Sequence, residues 1–276
     1  SFIALCYLHR STRRSHNRTV FYVLLSTLIW TDFIGKLITT PPAILSYSFR
    51  RWVGGTKLCR FHGFCMGLID LATHFLVSAM AIDRFICVRF CYFYKSNFTQ
   101  CRARTALIGV WAFCLTFSSL PLFGIGEFEI QYPCTWCFIN IHVKKSTLWY
   151  HQVYTNVFGL LNIMNIIIIF VCNVMVIGIL LSVRMSRTRK FSASSRQLPV
   201  NTTQRELELQ MSIVLFVITL VFLISWSPLD IRLFLNQIWP HTCQEDHVVD
   251  LIAVRLASFN QIIDPWAYII CRRGKA

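Results

Sequence analysis

The chain reads as an all-α protein, a seven-transmembrane helical bundle in which most of the first helix lies outside this sequence. Three observations predict it. Six segments are long and apolar enough to cross a bilayer, which takes about 20 largely apolar residues. Hydrophobic residues fill 55% of the 276 positions and charged residues only 14%, against about 25% charged in soluble domains, so much of the surface must face lipid. The charge that remains, +15 net, gathers in short polar links between apolar segments, as membrane proteins carry their cations.

The elements follow in order. Phe2–Leu8 is a short apolar run that meets His9-Arg10 and then Arg13-Arg14, as the inner end of a first helix would. The spans are expected near Val20–Tyr47, Leu58–Val88, Thr105–Phe123, His151–Val183, Leu209–Trp239 and Val248–Cys271. Several exceed a minimal span, so tilt or extension past the lipid is expected. Residues 182–205 are basic, rich in Ser and Thr, and contain Pro199, the composition of a flexible cytoplasmic loop. Residues 272–276 open a cytoplasmic tail, and residues 1–276 form one domain.

Charge placement sets the orientation. With residues 9–19 inside, the inner links hold seventeen Arg and Lys residues and the outer links six, a clear positive-inside bias that makes the C-terminus cytoplasmic. The sequons at Asn17, Asn97 and Asn201 all fall on the inner side, where no glycan is added.

Other classes fit poorly. The basic residues are spread over links rather than concentrated in a stripe for nucleic acid. Twelve cysteines contain no repeated CxxC pair, which argues against zinc. There is no H-E-x-x-H, G-x-S-x-G or P-loop string of an enzyme, and no internal repeat of the kind many transporters show.

Arg255 is the most informative residue. It sits inside the apolar stretch Val248–Ile270, where a cation costs about 2.5–3.5 kcal/mol on insertion scales. A guanidinium can hold a carboxylate bidentately in low dielectric. An acidic ligand would offset the cost, and so would an internal ion pair with Asp70 or Asp230.

Motifs narrow the family. Asp83-Arg84 ends the third span, Trp111 lies in the fourth, Trp226-Ser227-Pro228 in the sixth, and Asp264-Pro265-Trp266-Ala267-Tyr268 in the seventh. With Asp32 in the second span, this ordered set resembles the rhodopsin-like (class A) G-protein-coupled receptors. Two longer strings, QYPCTWCFI (131–139) and AVRLASFNQIIDPWAYI (253–269), are similar to the prostanoid-receptor subfamily, whose outer loop reads QYPGTWCF. These strings and the CYFY link (91–94) resemble the prostaglandin E receptors that stimulate adenylate cyclase. Cys134, Phe259 and Ser225 depart from the subfamily pattern.

The resemblance implies a plasma-membrane receptor for a prostanoid, an apolar twenty-carbon acid, that activates a heterotrimeric G protein. Gs is favoured; a Gi- or Gq-coupled prostanoid receptor or another lipid-acid receptor is the alternative. Arrestin and membrane lipid are the further partners. Arg255 becomes the carboxylate anchor, helped by the hydroxyls of Tyr47 and Thr135, with Trp136 as a lid and Met66 and Thr40 facing the pocket. Tyr47 as an interfacial anchor, Trp136 as loop packing, and Met66 and Thr40 as core packing are the plain alternatives. Cys59 and Cys137 match the family disulfide, leaving Cys134 and Cys243 to pair or stay free. Asp83, Arg84, Pro228, Asp264 and Tyr268 correspond to the activation switch. Asp32, Asp264 and Thr73 correspond to an allosteric sodium site, and no other cofactor is implied. Lys36 and Asp70 lie in apolar helices that neighbour each other in this fold. They are expected to pair or to engage ligand, with Asp32, one turn back, as a second partner for Lys36.

Overall fold

The computed structural model describes residues 20–141, 148–191, 202–238 and 247–259. Its helices are α1 (Val20–Ser48), α2 (Gly55–Arg89), α3 (Cys91–Asn97), α4 (Gln100–Ser119), α5 (Trp149–Phe191) and α6 (Thr202–Ile238), and a last helix, α7 (residues 247–259). All but the short α3 correspond to the six foreseen spans. The first-helix run Phe2–Leu8 and the tail lie outside the described residues.

α2 is the axle of the bundle. Leu71, Ala72, Leu76, Val77, Met80 and Ala81 are all fully buried, and α1, α4, α5, α6 and the outer loop pack against it. A helix that is apolar all round belongs in the interior. Against it, α1 buries Phe21, Leu24, Leu25, Leu28, Ile29 and Asp32 at helical spacing, while Trp30, Ile34, Leu37 and Ile38 face outward. Gly35 permits a close crossing: a Cβ there would stand 2.8 Å from Ile69 Cδ1.

Boundaries differ from expectation where local chemistry extends a helix. α4 begins at Gln100 because the Thr99 hydroxyl accepts from Arg102 N at 3.4 Å, an N-cap. It gives way to a 3-10 turn at Leu120–Phe123 containing Pro121. The loop expected at 182–205 is shorter. α5 runs to Phe191 and α6 starts at Thr202, because residues 182–191 contain neither Gly nor Pro and are rich in good helix formers. At 1.5 Å per residue the 43-residue α5 is about 65 Å long, far beyond a bilayer core of about 30 Å, so it projects past the lipid.

The outer loop between α4 and α5 is not helical. It folds as an antiparallel hairpin of β1 (Phe128–Gln131) and β2 (Trp136–Ile139), with Gln131 opposite Trp136. At its turn Cys134 adopts φ +66°, the left-handed region that favours glycine, which accounts for glycine in the subfamily string. The Cys134 thiol is exposed and free; Cys243 lies outside the described residues.

Candidate functional site

Beneath the hairpin lies a cavity of about 420 Å³, within the range of small-molecule sites. α1 contributes Lys36, Thr39, Thr40, Ala43, Ile44 and Tyr47; α2 contributes His62, Met66, Ile69 and Asp70. Trp136 and Phe138 come from the hairpin, Trp226 and Leu229 from α6, and Leu251, Val254, Arg255, Ala257 and Ser258 from α7. Along α1 the lining runs from Lys36 to Tyr47, about 16 Å at helical rise. The wall is mostly apolar, with polar groups at the two ends.

Arg255 marks one end. Side chains on a helix lean toward its N-terminus, and on α7 that direction is outward. The Arg255 guanidinium carbon sits 6.0 Å from the Tyr47 ring centroid. The residue is exposed rather than buried, and it is among those that line the cavity. Among the described residues no acid pairs with it, and Asp70 and Asp230 have other partners, as shown below.

The lid is built by strand alternation. Successive strand residues point to opposite faces, so Trp136 and Phe138 look into the cavity while Cys137 looks toward α2. Cys137 forms a disulfide with Cys59, Cα atoms 5.3 Å apart across 78 residues. His62, one turn along α2 from Cys59, ties the hairpin further: Nδ1 lies 2.9 Å from the Cys137 carbonyl oxygen and Nε2 3.2 Å from that of Thr39. Trp136 Nε1 donates to the Tyr132 carbonyl at 2.9 Å. Thr135 lies in the turn that leads into β2. It is 2% exposed, and its hydroxyl has no hydrogen-bond partner among the described residues. It does not line the cavity.

At the inner end lies a buried polar cluster that the sequence reading did not assemble. His74 Nδ1 is 3.0 Å from Asp70 Oδ1 and its Nε2 is 3.1 Å from Asp230 Oδ2. Asn162 Nδ2 donates to Asp70 Oδ2 at 3.2 Å and to Asp230 Oδ1 at 3.1 Å. The His74 ring packs edge-on against Phe222 and Trp226, with centroids 4.9 and 5.0 Å away. The hydrogen-bond partner of His74 Nδ1 is the Asp70 backbone carbonyl oxygen, 2.9 Å away. The cluster joins α2, α5 and α6 through hydrogen bonds among buried side chains. The signal in the sequence was Asp70 and His74 four apart on one helix face. Of the partners foreseen for Lys36, Asp70 turns to His74 and Asn162 instead, and Lys36 stays in the cavity wall, half-buried, with Asp32 as the acid acting on it.

At the outer rim a second polar contact joins α6 to α7. Arg232 Nε donates to Asp250 Oδ1 at 2.7 Å, and Asn236 Nδ2 donates to the same carboxylate at 3.1 and 3.2 Å.

At the end of α2 away from the hairpin, Asp83 holds Arg84. Its Nε and Nη2 donate to Asp83 Oδ2 at 3.0 and 2.6 Å, and its guanidinium lies 4.7 Å from the Phe21 ring centroid. Tyr94 on α3, which the sequence reading had not singled out, donates its hydroxyl to Asp83 Oδ1 at 2.8 Å. Burial first, and then the Asp83 carboxylate, push the Tyr94 phenol above its ordinary range, so it is a donor throughout the physiological range. Pro228 lies inside α6, where it removes one helix hydrogen bond. Asp264 and Tyr268 lie outside the described residues.

Asp32 and Thr73 are wholly buried on the adjoining helices α1 and α2, and Thr73 Oγ1 has no hydrogen-bond partner among the described residues. Such oxygens suit a hard cation. Among the described residues no three His, Cys, Asp or Glu side chains gather as a metal site.

Comparison with known proteins places this architecture. Residues 3–268 match the 7 transmembrane receptor (rhodopsin family). The chain is 34% identical over 291 residues to the prostaglandin E2 receptor EP3 subtype of Oryctolagus cuniculus, covering 98% of this chain and 69% of that one. Against the Homo sapiens EP3 subtype the identity is also 34%, with 98% and 73% covered. Against the Homo sapiens EP4 subtype it is 30% over 304 residues, with 99% and 61% covered. In fold, squid rhodopsin superposes with a TM-score of 0.75 at 19% identity, covering 96% of this chain and 76% of that one. These are multi-pass membrane receptors, not enzymes. The chain belongs to the rhodopsin family of seven-transmembrane receptors, in the prostanoid-receptor branch.

Proposed function

We propose that the cavity binds prostaglandin E, with its carboxylate on Arg255, and that binding activates a heterotrimeric G protein, Gs, to raise cyclic AMP. The observation that carries the reading is a guanidinium at the outer end of an apolar cavity, beside the Tyr47 ring and without an acid among the described residues. An amphiphilic acid complements it: one anion at Arg255 and Tyr47, and a flexible chain against Met66, Ile69, Leu229 and Leu251. Met66 is a soft filler suited to such a chain, Thr40 adds a hydroxyl to the wall, and Trp136 closes the cavity from above.

Signalling follows from the closed cytoplasmic end. A ligand that binds better when α6 has moved outward shifts the population toward that state, in which Arg84 leaves Asp83 and meets the G protein. Asp264 and Tyr268 belong to this switch by their motif. The C-terminus is cytoplasmic by the positive-inside bias, and arrestin is the second cytoplasmic partner. Asp32, Thr73 and Asp264 would hold a sodium ion, whose charge would be met there by the acids. Agonist affinity measured in sodium against choline chloride, with and without Asp32→Asn, tests it.

The main test is a prostanoid panel on cells expressing the receptor, read out by cyclic AMP and calcium, with Arg255→Ala alongside. A rise in cyclic AMP supports Gs, whereas a fall or a calcium signal assigns Gi or Gq instead. Hydrogen bonds to charged groups contribute about 1.5–3 kcal/mol, so Arg255→Ala should weaken acids by about 10- to 100-fold and their neutral esters far less. No response to any prostanoid at normal surface expression would defeat the reading.

A further inference from the structure

His62 is buried, lines the cavity, and has an acceptor at each of its ring nitrogens. Nδ1 lies 2.9 Å from the Cys137 carbonyl oxygen on β2, and Nε2 lies 3.2 Å from the Thr39 carbonyl oxygen on α1. A carbonyl oxygen only accepts, and a neutral imidazole carries a single N–H. The neutral ring therefore donates to one carbonyl and sets a lone pair against the other. Only the protonated ring makes both bonds. Together they tie α1, α2 and the hairpin at one point, so the tether over the cavity is complete only while His62 holds its second proton.

The surroundings couple that proton to an anion in the cavity. Among the described residues no acid pairs with His62. Lys36 and Tyr47 reach the cavity from α1, Asp70 from α2 and Arg255 from α7. Cys65 stands one turn along α2, and Glu129 shares a hairpin register position with Phe138. The link between α1 and α2 presents the uncharged Trp52 ring, 5.4 Å from the imidazole. Asp70 is engaged by His74 and Asn162, so Lys36 and Arg255 are left as cavity cations that oppose a third positive charge. A carboxylate bound at Arg255 removes that opposition. Resting on the Arg255 reading, we propose that His62 is a positioning residue that holds the hairpin over the ligand as an imidazolium, so that binding an acidic lipid takes up one proton. Linkage is reciprocal, so acidic agonists bind more tightly as pH falls through the range near pH 6.5 where histidine titrates. A neutral ester, which leaves the cavity cations unbalanced, gains much less.

The test uses the full-length receptor in membranes, with equilibrium binding of prostaglandin E2 and of its methyl ester measured from pH 6 to pH 8. Wild type is compared with His62→Phe, which keeps a ring and removes both donors, and with His62→Gln, which keeps an uncharged donor. Surface expression is measured for each, and the two variants guard against one of them failing to fold. The expected result is that wild-type affinity for prostaglandin E2 rises at least about fivefold from pH 8 to pH 6 and that for the ester less than about twofold. Both variants should bind the acid with a flat pH profile, His62→Gln more tightly than His62→Phe. A flat profile in wild type, or the wild-type slope persisting in either variant, overturns the proposal. If the wild-type profile is flat while Arg255→Ala abolishes the preference for acid over ester, the His62 proposal falls and the Arg255 reading stands. If wild type binds neither probe, both fall.

Discussion

Tyr94→Phe is expected to raise signalling in the absence of ligand. The hydroxyl donates to Asp83 Oδ1 at 2.8 Å while Arg84 occupies Oδ2, so one phenol and one guanidinium share a single carboxylate that is 3% exposed. A hydrogen bond to a charged group contributes about 1.5–3 kcal/mol, and the half-buried position of Tyr94 puts this one near the lower figure. If the freed state of Arg84 lacks the bond, removing the hydroxyl destabilises only the resting state. About 1.4 kcal/mol is a factor of ten, so a receptor that is active about 1% of the time would become active about 10% of the time. The stacked Tyr94–Phe98 rings, 4.8 Å between centroids, survive the change, which limits its effect on folding. The assay is basal cyclic AMP per surface receptor, with α3 otherwise intact. Basal output within twofold of wild type, or below it, would refute the reasoning that Tyr94 braces the closed arrangement.

Three further outcomes follow from the outer loop. Cys59→Ala or Cys137→Ala removes a cross-link closing 78 residues and should cost roughly 2–4 kcal/mol, seen as a lower Tm in detergent and reduced ligand affinity, the two substitutions being equivalent. Gly63→Val would place a Cβ 2.5 Å from Phe128 Cδ1; displacing β1 should cost about 1–3 kcal/mol and weaken ligand binding, whereas Gly109→Ala, which meets nothing within 4 Å, should be silent in both assays. Cys134→Gly relieves the φ +66° strain, about 1–2 kcal/mol, and should raise the Tm by a few degrees with ligand affinity unchanged.

The spans were legible because apolar runs in this chain are long and their links are polar, so Val20–Ser48 and Gly55–Arg89 were placed within a few residues of where they lie. Helix ends were less so. Thr99 caps α4, and α5 and α6 continue as helix through polar residues beyond their apolar runs, where hydropathy no longer marks the helix. The hairpin at Phe128–Ile139 was missed because its two strands of four residues are too short to show a period. Within the site, Tyr47, Met66, Trp136 and Arg255 were found through motifs, and they do share one cavity. The cluster around His74 escaped because, beyond the local Asp70–His74 spacing, its members lie 156 and 92 residues apart, and His62 because Cys137 lies 75 residues away.

A structure of the receptor with bound prostaglandin E2 tests the central claim most directly. The account expects a carboxylate oxygen of the ligand within about 3 Å of the Arg255 guanidinium, with the chain running down between α1, α2 and α7. Finding Arg255 paired with one of the protein's own acids, and the agonist seated elsewhere, would contradict it.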